Sequence, residues 1–463
     1  MFFNSATFFP SMKDKKIDVI GLGVSNTELV FRLVESGAIV TVRDRRTEDQ
    51  IRSSAVERIK ERGVILKLGE DYLENLDGEI IFRTPGMKFK TPELIEARNR
   101  GKIVTSELEL FMELCPCKTI GITGSDGKTT TSTLIAEMLK KSGKTVHLGG
   151  NIGKPLLPIL DKVDPNDVCV VELSSFQLIS MRCSPDIAVI TNISPNHLDV
   201  HKDYAEYINS KLNILEHQNA FSKAVLSMDN AEVFSHKDLV RGRLELFSRK
   251  SEVSTGAYMD ERGDVYHAIN GRSIKLFNKD DVLLPGLHNI ENLCAAISAV
   301  WGLASPYAIE QVAKTFTGVT HRIEFIREVD GVKYYNDSIA TTPTRTAAGV
   351  KSFDQKLIVL LGGYDKLIPF KALGAPLCER AKEIILTGPT APKIEAAVKE
   401  AENYDPESIK IVHADGLKDA VLKAKASAKE GDIILLSPAC ASFDEFINFE
   451  ARGDFFRDMV NNF

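Results

Sequence analysis

No apolar run in this chain approaches the roughly 20 residues that a membrane-crossing helix needs. The opening MFFNSATFFPSMKDKK has aromatics but no basic n-region, no continuous apolar stretch and no small-residue cleavage site, so it does not read as a signal peptide. It is expected to be a loose extension before the first strand. Paired cysteines are missing as well. The seven thiols are odd in number, scattered at 115, 117, 169, 183, 294, 378 and 440, and form no C-x-x-C pair. Free thiols in a reducing cytoplasm are the simplest expectation. Nor is there a basic excess: 58 Lys and Arg against 64 Asp and Glu leave a net charge of −6, which argues against a general nucleic-acid or membrane partner. Repeats and low-complexity tracts are absent too. What remains is 43% hydrophobic and 26% charged over 463 residues, a soluble globular composition with length for about three domains.

The strongest signal is GITGSDGKTTT at 121–131, between the short apolar KTI and the helix-like STLIAEMLKK. Gly124 and Gly127 let backbone N–H groups close around phosphate oxygens, and the following helix N-terminus adds partial positive charge. Lys128 would reach the β/γ-phosphates, the Thr129 hydroxyl would sit on Mg²⁺, and Thr130 follows in the same turn. The strict G-x-x-x-x-G-K-[ST] template wants glycine at 122, which is Ile122, so this is a variant P-loop with its turn expected to start at Gly121 and Gly124.

Upstream, IDVIGLGVSN is a strand running into a Gly-x-Gly turn, with Ser25 as the expected N-cap of a helix ended by Gly37. AIVTVRD, ending at Asp44, completes a βαβ unit. The third glycine of the dinucleotide fingerprint is replaced by Asn26, so the turn suits either a nicotinamide cofactor or another nucleotide's pyrophosphate. After the P-loop, DVCVVELSSFQL and DIAVITNISPNHLD are buried-strand runs ending in polar residues. Glu172 ends the first and is placed to hold Mg²⁺. His197 ends the second, and Lys211 lies on a helical stretch; taken alone, neither exceeds a polar loop residue and a solvated lysine. The alternation of YYNDS, KLIVLLGGYDK, EIILTG, IKIVHA and DIILLSPACASF with helical stretches predicts a third α/β segment. The fold expected is therefore α/β in three domains: a Rossmann-like one over 1–115, a central P-loop domain with a mainly parallel sheet over 116–318, and a dinucleotide-fold domain over 319–463.

Together GLGVS, TPGM, TGSDGKTT, GNIGKP, ELSSFQL, TNISPNHLD, LHNIEN, HRIE, NDSIATTP, LLGGYDK and LSPACASFDEFINFEARG resemble the Mur ligases, from residue 17 to the C-terminus, and among them the branch that adds D-glutamate. The resemblance implies ATP-dependent amide formation between UDP-MurNAc-L-Ala and D-glutamate through an acyl phosphate, in peptidoglycan precursor synthesis, by a cytoplasmic monomer. By the same resemblance Val24, Ser25, Asp44, Arg46 and Gly86 would hold the UDP moiety, and Asn151, Ser174 and His197 the rest of that substrate. Lys128 and Thr129 would bind phosphates and a first Mg²⁺ with Glu172; His197 and a carbamylated Lys211 would hold a second. Asn289 and Asn292 would meet adenine, Arg322 and Asp337 would hold ATP, and Thr341, Lys366, Ser442 and Phe449 would receive D-glutamate.

Two positions depart from the family pattern. Asp126 stands where asparagine is usual, so its charge must face metal or solvent. Ile339 stands where better-known members have lysine, which removes a cation near the reacting groups. Two other classes fit parts of the chain: an NAD-dependent oxidoreductase resting on GLGVS, against which the P-loop with ELSS speaks, and an idle nucleotide sensor, which Lys128, Glu172, His197 and Lys211 disfavour.

Overall fold

The computed structural model describes residues 4–51, 54–195 and 201–463. The chain is α/β and carries three sheets in series. In the first, five parallel strands run in the order Ile65–Leu68, Ile39–Asp44, Lys16–Ile20, Ile80–Phe82 and Ile103–Thr105. The strand Lys16–Ile20 is buried after its first residue, as a parallel strand covered on both faces must be. Strand order reverses there, so the turn at its carboxyl end opens at the switch point where ligands gather in such sheets.

The central sheet has nine strands, in the order Val146–Gly150, Val168–Glu172, Lys118–Thr123, Ile187–Ile190, Lys223–Ser227, Arg243–Ser248, Gly256–Met259, Asp264–Ile269 and Arg272–Asn278. The first seven are parallel, and the last two add as an antiparallel meander. The third sheet opens with the antiparallel pair Glu324–Val329 and Val332–Asn336. Ile433–Leu436, Leu357–Gly362, Ala381–Thr387 and Lys410–His413 then continue it in parallel.

The chain divides into two compact units, Met1–Lys279 with Ile290–Val312, and Asp280–Asn289 with Ala313–Phe463. Within the first unit one apolar core runs from Phe8 to Val233, through both of its sheets. Glu107 strengthens that continuity: its buried carboxylate accepts the backbone N–H groups of Leu156 and Leu157 at 2.8 and 2.7 Å.

Two local expectations need correction. The N-terminal extension is not loose where it is described, because Phe8, Phe9 and Met12 are buried in the first unit's core and the Arg32 guanidinium lies over the Phe9 ring. Apolar side chains spaced along a short 3₁₀ turn at Pro10–Met12 explain this better than a tail does. Ser25 is not an N-cap either. The helix is Val24–Glu35, capped by extended Gly23, so Ser25 falls in its first turn. Asn26 holds the turn instead, donating to the carbonyls of Ile20 and Gly21 at 3.0 Å.

Candidate functional site

The P-loop strand Lys118–Thr123 lies between Val168–Glu172 and Ile187–Ile190, so its carboxyl end is flanked by those of two parallel neighbours. Gly121 is a packing glycine inside this strand, where a Cβ would meet Pro185 at 2.7 Å, so the turn starts at Gly124 alone. Gly124 adopts φ +153°, and a Cβ there would stand 1.9 Å from Thr191 Oγ1. Gly127, at φ +78°, caps the helix Lys128–Lys141, and its Cβ would stand 2.2 Å from Asn292 Oδ1. Both positions therefore require glycine. Thr129 and Thr130 occupy the half-buried first turn, where helix N–H groups point outward without intrahelical acceptors.

The loop after Ile187–Ile190 braces the turn. Ser125 N donates to Asn192 O at 2.8 Å, Asp126 N to Asn192 Oδ1 at 2.9 Å, and Thr191 Oγ1 to Asp126 O at 2.6 Å. The Ser125 and Tyr207 hydroxyls meet at 2.9 Å. Asp126 itself is exposed, and its charge also acts on the buried Lys211 ammonium. Thr191, Asn192, Ser125 and Tyr207 were not singled out from the sequence. Their only signal was position, at a strand's carboxyl end and one helical turn before Lys211.

Two lysines converge on one carbonyl. Lys128 Nζ donates to Gly124 O at 2.9 Å and to Ser125 O at 2.8 Å, while Lys211 Nζ donates to Gly124 O at 2.7 Å. Lys211 is not on a solvated face. It is buried on the helix Tyr204–Glu216, its ammonium 4.7 Å from the centre of the Tyr207 ring. Burial first, and the Lys128 charge second, pull its pKa down to about 7, against the opposite pull of Asp126 and Glu172. Glu172, equally buried, accepts from Asn151 Nδ2 at 2.9 Å on Oε1. Its Oε2 has no hydrogen-bond partner among the described residues. An orphaned buried carboxylate oxygen beside an amine that is easily neutralised suits an oxygen-seeking cation such as Mg²⁺. His197 lies outside the described residues. Ser174 caps the short helix Ser175–Leu178 in a reciprocal pair with Gln177.

At the switch point of the first sheet, Asp44 is buried and accepts from Leu22 N at 2.8 Å and from Arg46 N, Nε and Nη2 at 2.9, 3.0 and 2.7 Å. Burial pushes its pKa up, but the Arg46 side chain and the two amides outweigh it and hold the carboxyl below its ordinary range. The turn thus carries a fixed anion with a half-exposed guanidinium beside it. Val24 opens the helix above, and Gly86 is exposed with open space at its Cβ position.

Residues 122–300 match the Mur ligase middle domain and 321–440 the Mur ligase glutamate ligase domain. The UDP-N-acetylmuramoylalanine--D-glutamate ligase of Clostridium novyi is 45% identical over 457 residues, covering 97% of each chain. That of Acetivibrio thermocellus is 46% identical over 459 residues, covering 98% of each. The chain belongs to the Mur ligase family. Solved structures of the family share its fold at low identity. The UDP-N-acetylmuramate-alanine ligase of Thermotoga maritima superposes with a TM-score of 0.58 at 18% identity, over 96% of this chain and 100% of that one. No helix among the described residues of this Mur ligase is long and apolar enough to cross a membrane.

Of the remaining candidates of the Mur ligase reading, Asn292 belongs to the first unit, and Asn289, Arg322, Asp337, Thr341, Lys366, Ser442 and Phe449 belong to the second. Asp337 is buried at the end of Val332–Asn336, accepts from Ser437 Oγ at 2.7 Å and from Ile323 N at 3.3 Å, and is pushed up to about 7 by burial. Ser442 is buried, Thr341 half-buried and Lys366 exposed. Phe449 packs its ring edge-to-face on His321, and its carbonyl accepts from Ser338 Oγ at 2.8 Å. Asn289 Nδ2 donates to Pro285 O at 2.7 Å, Arg322 N donates to Val319 O, and Asn292 is the residue beneath Gly127. Beside Ile339 stands a cation the sequence did not flag: Arg345 Nη1 donates to the Ile339 carbonyl at 3.4 Å.

Proposed function

We propose that this Mur ligase uses ATP, in cytoplasmic peptidoglycan precursor synthesis, to join D-glutamate to UDP-MurNAc-L-Ala, the two substrates that its relatives' name, UDP-N-acetylmuramoylalanine--D-glutamate ligase, gives for them. One observation carries the ATP-dependent half: Lys128 and the buried Lys211 share the Gly124 carbonyl beside Glu172, whose second oxygen is unsatisfied among the described residues. In the reaction so read, the substrate carboxylate attacks the γ-phosphate to give an acyl phosphate and ADP. The D-glutamate amine then attacks the acyl carbon, and phosphate leaves from the tetrahedral intermediate.

Lys128 would turn from the loop carbonyls to the β/γ-phosphates, where charge grows during the first step. Glu172 and the Thr129 hydroxyl would hold one Mg²⁺, and His197 with a carbamylated Lys211 a second. Bound Mg²⁺ would neutralise charge on the phosphoryl oxygens. A pKa near 7 supports the carbamate, because CO₂ adds to a neutral amine. We further propose that residues 1–115 bind the UDP end through Ser25, Asp44, Arg46 and Gly86, that 116–318 bind ATP, and that 319–463 bring Arg322 and Asp337 to the nucleotide and Thr341, Lys366, Ser442 and Phe449 to D-glutamate. The enzyme would act as a monomer.

ADP release, measured across a panel of amino acids and UDP-linked acceptors, tests this reading. It should require UDP-MurNAc-L-Ala and D-glutamate together. Equal turnover with L-glutamate, lysine or D-alanine would overturn the acceptor assignment and leave the ligase. ADP release independent of both substrates would overturn the ligase as well.

A further inference from the structure

Three of the seven cysteines, spread over 55 residues of sequence, meet at one place. Cys115 follows the helix Glu107–Leu114, Cys117 precedes the strand Lys118–Thr123, and Cys169 lies in the neighbouring strand Val168–Glu172. Cys117 Sγ is 3.7 Å from Cys115 Sγ and 3.4 Å from Cys169 Sγ, and all three sulfurs fall within 4.8 Å of one another. A cation with metal–sulfur bonds of about 2.3 Å in a trigonal plane spaces its sulfurs by about 4.0 Å. The spacing found here needs only small side-chain adjustments to meet that.

The donor set is purely soft. Asp186, nearby, spends its Oδ2 on Thr119 N and Oγ1 at 2.8 and 3.0 Å. Asp167 Oδ2 is taken by His147 Nε2 at 2.8 Å and Asp164 N at 3.0 Å. No His, Asp or Glu side chain joins the cluster among the described residues. Structural zinc sites want four ligands in a tetrahedron, whereas thiolates alone select Cu(I) among others. Cys169 is fully buried, Cys117 nearly so and Cys115 half-buried, so the site has one open edge through which an ion could enter.

We propose that Cys115, Cys117 and Cys169 form a three-sulfur site for a thiophilic monovalent d¹⁰ cation, Cu(I). On binding, each ligating thiol gives its proton to solvent and its sulfur lone pair to the metal. The cluster sits toward the amino end of the strands whose carboxyl ends carry Gly124 and Glu172: at ~3.3 Å per residue Cys117 is roughly 23 Å from Gly124 and Cys169 roughly 10 Å from Glu172. It would staple the connector after residue 114 to the central sheet without touching the nucleotide.

The test is titration of the full-length reduced protein with Cu(I), without oxygen, against a competing bathocuproine chelator, together with copper X-ray absorption. Wild type should take one Cu(I) per chain with three sulfur neighbours, and its melting temperature should rise. Cys115→Ser, the least buried position, should lower the affinity by more than about 100-fold, beyond what loss of an outer-shell partner costs. Ligase activity without copper should be unchanged in that variant. Cys183→Ser, outside the cluster, should bind as wild type does. If Cys115→Ser fails to fold, Cys117→Ala serves, with unfolding monitored in parallel. Equal affinity in wild type and cluster variants overturns the site. So does uptake scaling with all seven thiols, or a copper shell containing nitrogen or oxygen.

Discussion

Around Gly124 the chain is already committed before any ligand arrives. Lys128 and Lys211 are seated on one carbonyl, Glu172 is fixed by Asn151 with one oxygen left over among the described residues, and Thr191 and Asn192 lock the turn. The candidates of the third sheet are arranged otherwise. Lys366 projects from an exposed loop, Ser442 is buried, and Phe449 is engaged with His321. On the proposed assignment the difference follows from what each would handle. Phosphoryl transfer rewards fixed dipoles and charges in a dry setting, because they need not reorganise as charge moves. A small diacid can instead draw exposed side chains onto itself, at the cost of ordering them. Substitutions near Gly124 should therefore depress turnover, and substitutions near Lys366 should depress acceptor affinity.

The largest break is expected from Lys128→Ala. Losing a cation aimed at the transferring phosphoryl group should lower kcat by about 10²- to 10³-fold, with UDP-substrate binding nearly intact by calorimetry. Near-normal turnover would remove the P-loop from the chemistry.

Lys211→Ala should be almost as damaging, about 10²-fold, and short-chain carboxylates should restore part of the loss by occupying the carbamate's space. Because the Lys211 amine loses its proton as pH rises through about 7, bicarbonate-dependent activity of the wild type should climb across that range. Intact-mass measurement under CO₂ should show the adduct. A flat pH and bicarbonate response, with no rescue, would leave Lys211 as a packing residue.

For the third sheet, Lys366→Ala should raise the KM for D-glutamate about 10- to 100-fold, the worth of one charge-assisted hydrogen bond, and barely move that for ATP. An equal rise in both would mean that Lys366 does not distinguish acceptor from nucleotide. The smallest effect belongs to Ile339→Lys. Arg345 already stands at the Ile339 carbonyl, and Thr341, Lys366, Ser442 and Phe449 are present without a lysine at this half-buried position, so acceptor KM should stay within about fivefold, of the order of one modest ion pair. A larger gain would mean that Arg345 does not stand in for the missing cation.

Much of this was legible in one dimension, because some chemistry is local. Glycine at 124 and 127, a lysine and threonine opening a helix, and an acid ending a buried strand are separated by bonds along the backbone or by a single strand pairing, so residue order alone determined the P-loop, Glu172 and the α/β succession. The antiparallel meander at 256–278 escaped, since strands such as Arg272–Asn278, exposed over their first four residues, carry no strong apolar period. Lys211 reads in sequence as one more helical lysine. Only packing of its helix beneath the P-loop, with Tyr207 against Ser125, removes its water and lowers its pKa. The same holds for Cys169, 52 residues from Cys117 and brought beside it by strand pairing. Which groups become neutral, orphaned or clustered depends on what is excluded from around them, and exclusion of water belongs to the folded chain, not to the order of its residues.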